Sequence, residues 1–112
     1  MSTAHLWLRI EDPVDGHQLV CITEEAVLGR DFRCDVVIHD VEASRVHARV
    51  TPVDGVRWHI TDLATTNGTY VNAERIVGPA NVTIGDVIRV GRVSCTVVAR
   101  PEVAAAKGVR AG

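Results

Sequence analysis

The clearest strand and turn signals of the chain lie between Gly29 and Asn72, in the sequence GRDFRCDVVIHDVEASRVHARVTPVDGVRWHITDLATTNGTYVN. Within it, short segments of alternating apolar and polar residues are separated by Gly, Asp, Asn and Pro. Two such segments are Ala48-Arg49-Val50 and Trp58-His59-Ile60, and the turn Pro52-Val53-Asp54-Gly55 lies between them. Alternation with a period of two is typical of half-buried strands, and frequent turns are typical of sandwiches and barrels. The stretch therefore predicts an all-β fold.

The same pattern continues on both sides of this stretch. Leu6, Leu8 and Ile10 alternate with two outward-facing positions near the start, and two strand-like runs flank Gly91 near the end. No internal segment of useful length has helical periodicity. We expect one domain over residues 4–100. Residues 101–112 contain three consecutive alanines and a glycine, and we expect them to form a flexible C-terminal tail or linker.

Size and composition exclude several classes of protein. The chain has 112 residues, of which 46% are hydrophobic, so it is long enough to bury the core of one domain without a disulfide or metal. Its formal net charge of -2 gives no global attraction for nucleic acid or anionic membrane, so any anion site must be local. The segment before the first predicted strand lacks the features of a signal peptide, and no apolar run is long enough to span a membrane. We expect a cytoplasmic protein, and the rich use of Ala, Val, Arg and Gly is typical of a high-GC bacterium.

The cysteines support the same compartment. They are odd in number and have no metal-like spacing, and each lies in a strand-like run: Cys21, Cys34 and Cys95. We expect buried free thiols in a reducing environment.

Three polar clusters lie on the predicted turns, and they are Gly29-Arg30, Ser44-Arg45-Val46-His47 and Thr66-Asn67-Gly68-Thr69-Tyr70-Val71-Asn72. A phosphorylated side chain carries about -1.5 to -2 charges and three strong acceptor oxygens. Arg30 and Arg45 provide guanidiniums that suit such oxygens. Ser44 and Thr66 provide short hydroxyls, and the amide of Asn67 can pair with a peptide backbone. The clusters therefore predict a local site for a phosphorylated peptide.

The order and spacing of these clusters resemble those of the forkhead-associated family of phosphothreonine-binding domains. The resemblance spans nearly all of residues 5–100 and implies a twisted β-sandwich of about eleven short strands, with binding loops at one end. The residues that carry it are Leu28-Gly29-Arg30, Cys34-Asp35-Val36-Val37-Ile38, Ser44-Arg45-Val46-His47-Ala48, Asp62-Leu63, Thr66 to Asn72, and Gly85-Asp86-Val87-Ile88-Arg89-Val90-Gly91.

The resemblance also implies a role for each matching residue. Arg30 corresponds to the arginine that contacts the phosphate, and Ser44 to the serine whose hydroxyl meets a phosphate oxygen. Arg45 occupies a position that commonly adds a further contact. Thr66 corresponds to a residue beside the phosphate or the threonine methyl group, and Asn67 to the asparagine that holds the peptide main chain. Framework positions that shape the loops correspond to Gly29, His47, Gly68 and Asn72.

Glu42 is a candidate specificity residue, because it lies two positions before Ser44. In this family, that loop often helps to choose the third residue after the phosphothreonine. A carboxylate there should repel an acidic residue, so we predict a basic or apolar preference. The alternative is that the Glu42 side chain extends into solvent.

The implied function is recognition of phosphothreonine on partner proteins in Ser/Thr kinase signalling. The implied partner is a threonine-phosphorylated protein, the Ser/Thr kinase itself, or a phosphorylated segment of the same polypeptide. We expect no cofactor or metal, no nucleic acid and no direct membrane insertion.

Three alternative functions fit the sequence less well. The five histidines have no metal-ligand spacing and no nucleophile elbow is present, so we do not expect an enzyme. Aromatic residues make up 4% of the chain, which disfavours a nucleic-acid-binding barrel. The nearest alternative is a domain of the same fold that binds protein without phosphate. Such domains usually lack the arginine or the serine, whereas Arg30, Ser44 and Thr66 are all present here.

Overall fold

The computed structural model describes residues 5–13 and 16–101, which form eleven β-strands in two sheets. The predicted all-β sandwich is therefore confirmed. Among the described residues no helix is long and apolar enough to cross a membrane. Residue 4 and all but Pro101 of the predicted tail lie outside the described residues. The strands are β1 (Leu6–Asp12), β2 (Gly16–Ile22), β3 (Ala26–Gly29), β4 (Val36–Val37), β5 (Ala48–Pro52), β6 (Trp58–Asp62), β7 (Thr69–Val71), β8 (Glu74–Arg75), β9 (Ala80–Val82), β10 (Val87–Val90) and β11 (Val93–Val98).

In the six-stranded sheet, strands from the two ends of the domain lie next to each other. Its order is β2-β1-β11-β10-β7-β8, so β1 and β11 are neighbours. The five-stranded sheet has the order β4-β3-β5-β6-β9. β3 and β4 pair in parallel, whereas the other described pairs are antiparallel.

The core lies between the sheets and follows the alternation seen in the sequence. In β1, Leu6, Leu8 and Ile10 are buried, whereas Trp7 and Arg9 face outward. The opposite sheet contributes residues such as Leu28 and Ile60, both with 0% exposure. Burial of each large aliphatic side chain contributes about 1.5–3 kcal/mol, so these inward positions provide most of the stabilisation.

The cysteines are free thiols with different environments. Cys95 is buried in β11, and burial raises the pKa of its thiol to about 12. Cys34 is half-buried. The expectation of burial is wrong for Cys21, which is exposed because it lies on the outer side of the edge strand β2.

Strand register brings three loops together at one end of the five-stranded sheet. Leu28 at the end of β3 pairs with Ala48 at the start of β5, and Ala48 pairs with Asp62 at the end of β6. The loops that follow β3, precede β5 and follow β6 are therefore neighbours. We call residues 30–35 the β3–β4 loop, residues 38–47 the β4–β5 loop and residues 63–68 the β6–β7 loop.

Candidate functional site

Arg30 is fixed by the β4–β5 loop. Its backbone N–H donates to the carbonyl oxygen of Ser44 at 2.9 Å, and its Nε donates to the carbonyl oxygen of Ala43 at 2.9 Å. A Cβ at Gly29 would overlap the carbonyl oxygen of Arg45, so the close approach of the two loops requires glycine there. The exposed Arg30 side chain is thus held through its Nε, and no described residue accepts a hydrogen bond from its Nη groups.

His47 joins the β4–β5 loop to the β6–β7 loop from inside the protein. Its side chain has 0% exposure, and its Nδ1 accepts from the backbone N–H of Ser44 at 2.9 Å. Its Nε2 lies 2.9 Å from the carbonyl oxygen of Gly68. Because a backbone N–H can only donate and a carbonyl can only accept, this geometry assigns a neutral imidazole with its proton on Nε2.

Asp62 shapes the β6–β7 loop. Its carboxylate accepts from the backbone N–H of Thr65 at 3.0 Å and from the hydroxyls of Thr65 and Thr69 at 2.6 and 2.8 Å. The Thr65 hydroxyl in turn accepts from the backbone N–H of Gly68 at 2.9 Å. Burial alone would raise the pKa of Asp62, but these hydrogen bonds outweigh it and hold the pKa below its ordinary value. The result is a tight turn that leaves Thr66 exposed at its tip.

Asn67 makes a second connection between the loops. Its Nδ2 donates to the carbonyl oxygen of Glu42 at 2.9 Å, while no described residue donates to its Oδ1. Glu42 itself is exposed, and its carboxylate lies 3.9 Å from Nε of Arg92. The Asn67 side chain is therefore positioned between the two loops with an acceptor still available.

An ion pair that the sequence reasoning missed anchors the β4–β5 loop to the β10–β11 turn. The Asp40 carboxylate is buried and accepts from the backbone N–H and the Nε of Arg92, both at 2.8 Å. The hydrogen bond from the Arg92 side chain holds the pKa of Asp40 below its ordinary value. A Cβ at Gly91 would overlap this carboxylate. Because 52 residues separate the partners, no local sequence signal pairs them.

The three loops bring together most of the residues singled out in the sequence. The five predicted ligand-binding residues all lie on these loops, as do His47 and Gly68, while Gly29 immediately precedes them. Asn72 lies elsewhere, in the turn between β7 and β8. Its amide donates to Asp86 at 2.9 Å and accepts from the backbone N–H of Val87 at 2.9 Å, so it supports that turn against β10.

The arginines of the three loops and the β10–β11 turn differ in whether a carboxylate lies close to them. Arg33 and Arg92 form ion pairs with Asp31 and Asp40. In contrast, no described carboxylate oxygen lies within 4.0 Å of the guanidiniums of Arg30 and Arg45. Two guanidiniums without a close carboxylate thus lie on loops that also carry the hydroxyls of the half-buried Ser44 and the exposed Thr66.

Comparison with known proteins identifies the family. The model of the FHA domain, the forkhead-associated family of the sequence resemblance, matches residues 26–91. The chain belongs to the FHA family. FHA domains are phosphothreonine-binding interaction modules that act in Ser/Thr kinase signalling. The observed fold and the sequence resemblance are therefore consistent with one family.

Individual relatives agree with this membership. The FHA domain-containing protein FhaB of Mycolicibacterium smegmatis is 32% identical over 82 residues, which cover 73% of this chain and 52% of the relative. The chain thus spans about half the length of that relative. The FHA domain of the CT664 protein from Chlamydia trachomatis has the same fold, with a TM-score of 0.79 and 20% identity over 88% of this chain and 100% of that one. Mycobacterium tuberculosis EmbR, solved in complex with a low-affinity phosphopeptide, gives a TM-score of 0.71 and 27% identity over 82% of this chain and 24% of that one.

Proposed function

We propose that this FHA domain binds a phosphothreonine-bearing segment of a partner protein at the three loops. The observation that carries the proposal is the pair of guanidiniums of Arg30 and Arg45, which have no described carboxylate oxygen within 4.0 Å and lie on loops joined by hydrogen bonds. An incoming phosphate would provide the missing negative charge. Its three acceptor oxygens match the bidentate donors of arginine.

Each side chain has a distinct part in the proposed complex. Arg30 donates to the phosphate through its Nη groups, because its Nε is occupied by the carbonyl oxygen of Ala43. Arg45 adds a second cation, and the hydroxyls of Ser44 and Thr66 donate to the remaining oxygens. The Oδ1 of Asn67 accepts from the peptide main chain, while its Nδ2 keeps the loop in place. A small apolar space for the threonine methyl group would favour phosphothreonine over phosphoserine by roughly 1 kcal/mol.

The proposed role is recognition without catalysis or a cofactor. The partner is a threonine-phosphorylated protein, the Ser/Thr kinase itself, or a phosphorylated segment of the same polypeptide. EmbR, a relative in structure, binds a phosphopeptide, which supports a ligand of this class. The free thiols suit a reducing compartment, so we place the domain in the cytoplasm.

The proposal is tested by fluorescence-polarisation binding to peptide pools centred on phosphothreonine, phosphoserine or unmodified threonine. We expect binding to the phosphothreonine pool. Arg30→Ala should weaken it by about 2–5 kcal/mol, as expected when one partner of a charged contact is removed. Arg57→Ala is the matched control, because Arg57 pairs with Asp54 in the β5–β6 turn at the other end of the sheet.

Two results would contradict the proposal. One is equal affinity of Arg30→Ala and the unmodified protein for the phosphothreonine pool. The other is binding that does not depend on phosphate, which would favour the alternative of a phosphate-independent interaction domain of the same fold.

The predicted role of Glu42 belongs to the same site. Its exposed carboxylate should disfavour acidic residues at the third position after the phosphothreonine. Peptides that differ at that position should therefore show a basic or apolar preference, and Glu42→Gln should reduce the discrimination against acidic residues. Selection of acidic residues by the unmodified protein would show that the prediction is wrong.

A further inference from the structure

Two more arginines near the candidate site are uncompensated. Among the residues that the structure describes, Arg75 and Arg89 have no carboxylate oxygen within 4.0 Å. Both are exposed. Arg89 in β10 pairs with Tyr70 in β7, and Tyr70 pairs with Arg75 in β8. Residues directly opposite one another on adjacent strands share a face, so the three side chains form a row on the outer face of the six-stranded sheet. We call Arg75, Tyr70 and Arg89 the arginine row.

The arginine row begins directly beside the β6–β7 loop. The Nη2 of Arg75 donates to the carbonyl oxygen of Thr66 at 3.3 Å. A Cβ at Gly68 would overlap the guanidinium of Arg75, so this group lies against the loop backbone on either side of Asn67. At the other end of the row, the guanidinium of Arg89 stacks over the Tyr70 ring, with 4.4 Å between Cζ and the ring centroid. Stacking holds this cation over the sheet surface.

The carboxylates near the site lie instead on the β4–β5 loop, which also carries Arg45. There Glu42 and the buried Asp40 both pair with Arg92. Glu74, the sequence neighbour of Arg75, pairs with Val71 and alternates away from the face of the arginine row. A peptide held at Asn67 would therefore meet a basic surface without a close carboxylate on the side formed by β8, β7 and β10.

We propose that the arginine row is a second anion subsite, which binds acidic residues that flank the phosphothreonine on one side of the same peptide segment. The inference rests on the proposed function. Adjacent strands lie about 4.8 Å apart, so Arg75 and Arg89, two strands apart, span about 10 Å. An extended peptide advances about 3.3 Å per residue, so the row matches a run of about three acidic residues. The preferred partner is then a threonine phosphorylated next to an acidic run.

The test uses three phosphothreonine peptides that have neutral flanks, a Glu run before the phosphothreonine, or a Glu run after it. We expect one of the two runs to tighten binding about threefold to tenfold, as for charge pairs at the rim of an interface. The gain should shrink as salt is added, because added salt shortens the Debye length.

Arg75→Gln is the informative variant, because glutamine removes the charge and keeps a donor for the carbonyl oxygen of Thr66. It should abolish most of the gain from the acidic run, when that gain is measured relative to the affinity of the same variant for the neutral peptide. Arg89→Gln should remove a smaller part of the gain, since Arg89 lies farther from the loop. Arg57→Gln, at the far end of the sheet, should keep the whole gain.

The outcomes separate this inference from the proposed function. Binding of the neutral phosphothreonine peptide without a gain from either run overturns the inference alone. A gain that survives in the double variant Arg75→Gln/Arg89→Gln also overturns it. Failure of all three peptides to bind overturns the proposed function, and the inference with it.

Discussion

Two buried polar side chains, His47 and Asp40, hold the candidate binding loops in place. Each is fully partnered: His47 by the backbones of Ser44 and Gly68, and Asp40 by the backbone and side chain of Arg92. Buried polar groups are tolerated when their hydrogen bonds are satisfied, and removal of a partner leaves the other group unsatisfied. These two residues therefore connect loop position to the stability of the domain.

The buried carboxylate of Asp40 predicts a dependence of stability on pH. Because Arg92 lowers the pKa of Asp40 in the folded state, the stabilisation is present above the unfolded pKa of about 3.9 and is lost as pH falls through the folded pKa. At neutral pH, Asp40→Asn should reduce the free energy of unfolding by about 1–3 kcal/mol. We expect a loss of free energy of unfolding in the lower part of this range, because the Arg92 side chain is half exposed. Below about pH 4 the deficit should shrink, because the unfolded chain takes up a proton at Asp40 and the ion pair then contributes less to stability.

Urea unfolding of both proteins over a series of pH values measures this effect. Hydrogen bonds within the β5–β6 turn also lower the pKa of Asp54, to about 2, so acid sensitivity of the unmodified protein has more than one source. The difference between the unmodified protein and Asp40→Asn isolates the buried pair, and Asp54→Asn serves as the exposed control. A deficit that stays constant down to pH 3 would contradict the assignment.

At the scale of elements, the β7–β8 hairpin has a backbone strain that a single substitution should relieve. Val71 pairs with Glu74, so Asn72 and Ala73 form a two-residue loop, and both have positive φ, at 51° and 72°. Such loops favour Asn followed by Gly, because the left-handed conformation is costly for a residue with a Cβ. Asn72 satisfies the first preference, and Ala73 departs from the second.

Ala73→Gly should therefore raise the free energy of unfolding by about 0.5–1 kcal/mol, even though it increases the freedom of the unfolded chain. Thermal and urea unfolding provide the measurement. The comparison substitution is Ala99→Gly, at an exposed position without positive φ, which should be neutral or slightly destabilising. Destabilisation by Ala73→Gly of the same size as that by Ala99→Gly would rule out relief of strain.

Local patterns predicted β1, β6 and β11 well because burial alternates along each of them. The edge strand β2 is as long as β1 but is exposed along most of its length. Two-residue strands such as β4 and β8 are too short to show an alternating pattern. They form because the neighbouring strands β3 and β7 pair with them. The candidate site was predictable for a similar reason, since each of its clusters is contiguous in sequence.

At the scale of the whole molecule, the connections between loops depend on contacts that sequence periodicity does not contain. The hydrogen bond from Asn67 to Glu42 spans 25 residues, and the pair of Asp40 with Arg92 spans 52. The arginine row likewise requires β7 to lie between β8 and β10. These juxtapositions follow from strand order, so the second subsite could be inferred only after the sheets were known.

The same strand order predicts which part of the chain the fold requires. The described buried hydrophobic residues lie between Leu6 and Val97. If the domain ends at residue 100, as its sequence predicts, a protein ending at residue 101 should unfold within about 0.5 kcal/mol of the full chain. In contrast to the tail, β11 is a central strand between β1 and β10, and its residues Val93, Cys95 and Val97 are buried. A chain ending at residue 92 should therefore fail to fold, because it exposes two strand edges and opens the core.

Circular dichroism and urea unfolding of the two truncated proteins test the domain boundary proposed at residue 100. The protein ending at residue 92 lacks the central strand β11, so it shows that the measurement detects a loss of stability. A loss of more than about 1 kcal/mol in the protein ending at residue 101 would place residues 102–112 within the stabilised domain. Equal stability of this protein and the full chain would show that the two sheets form the whole cooperative unit. The register of these sheets holds the three loops and the arginine row at fixed positions.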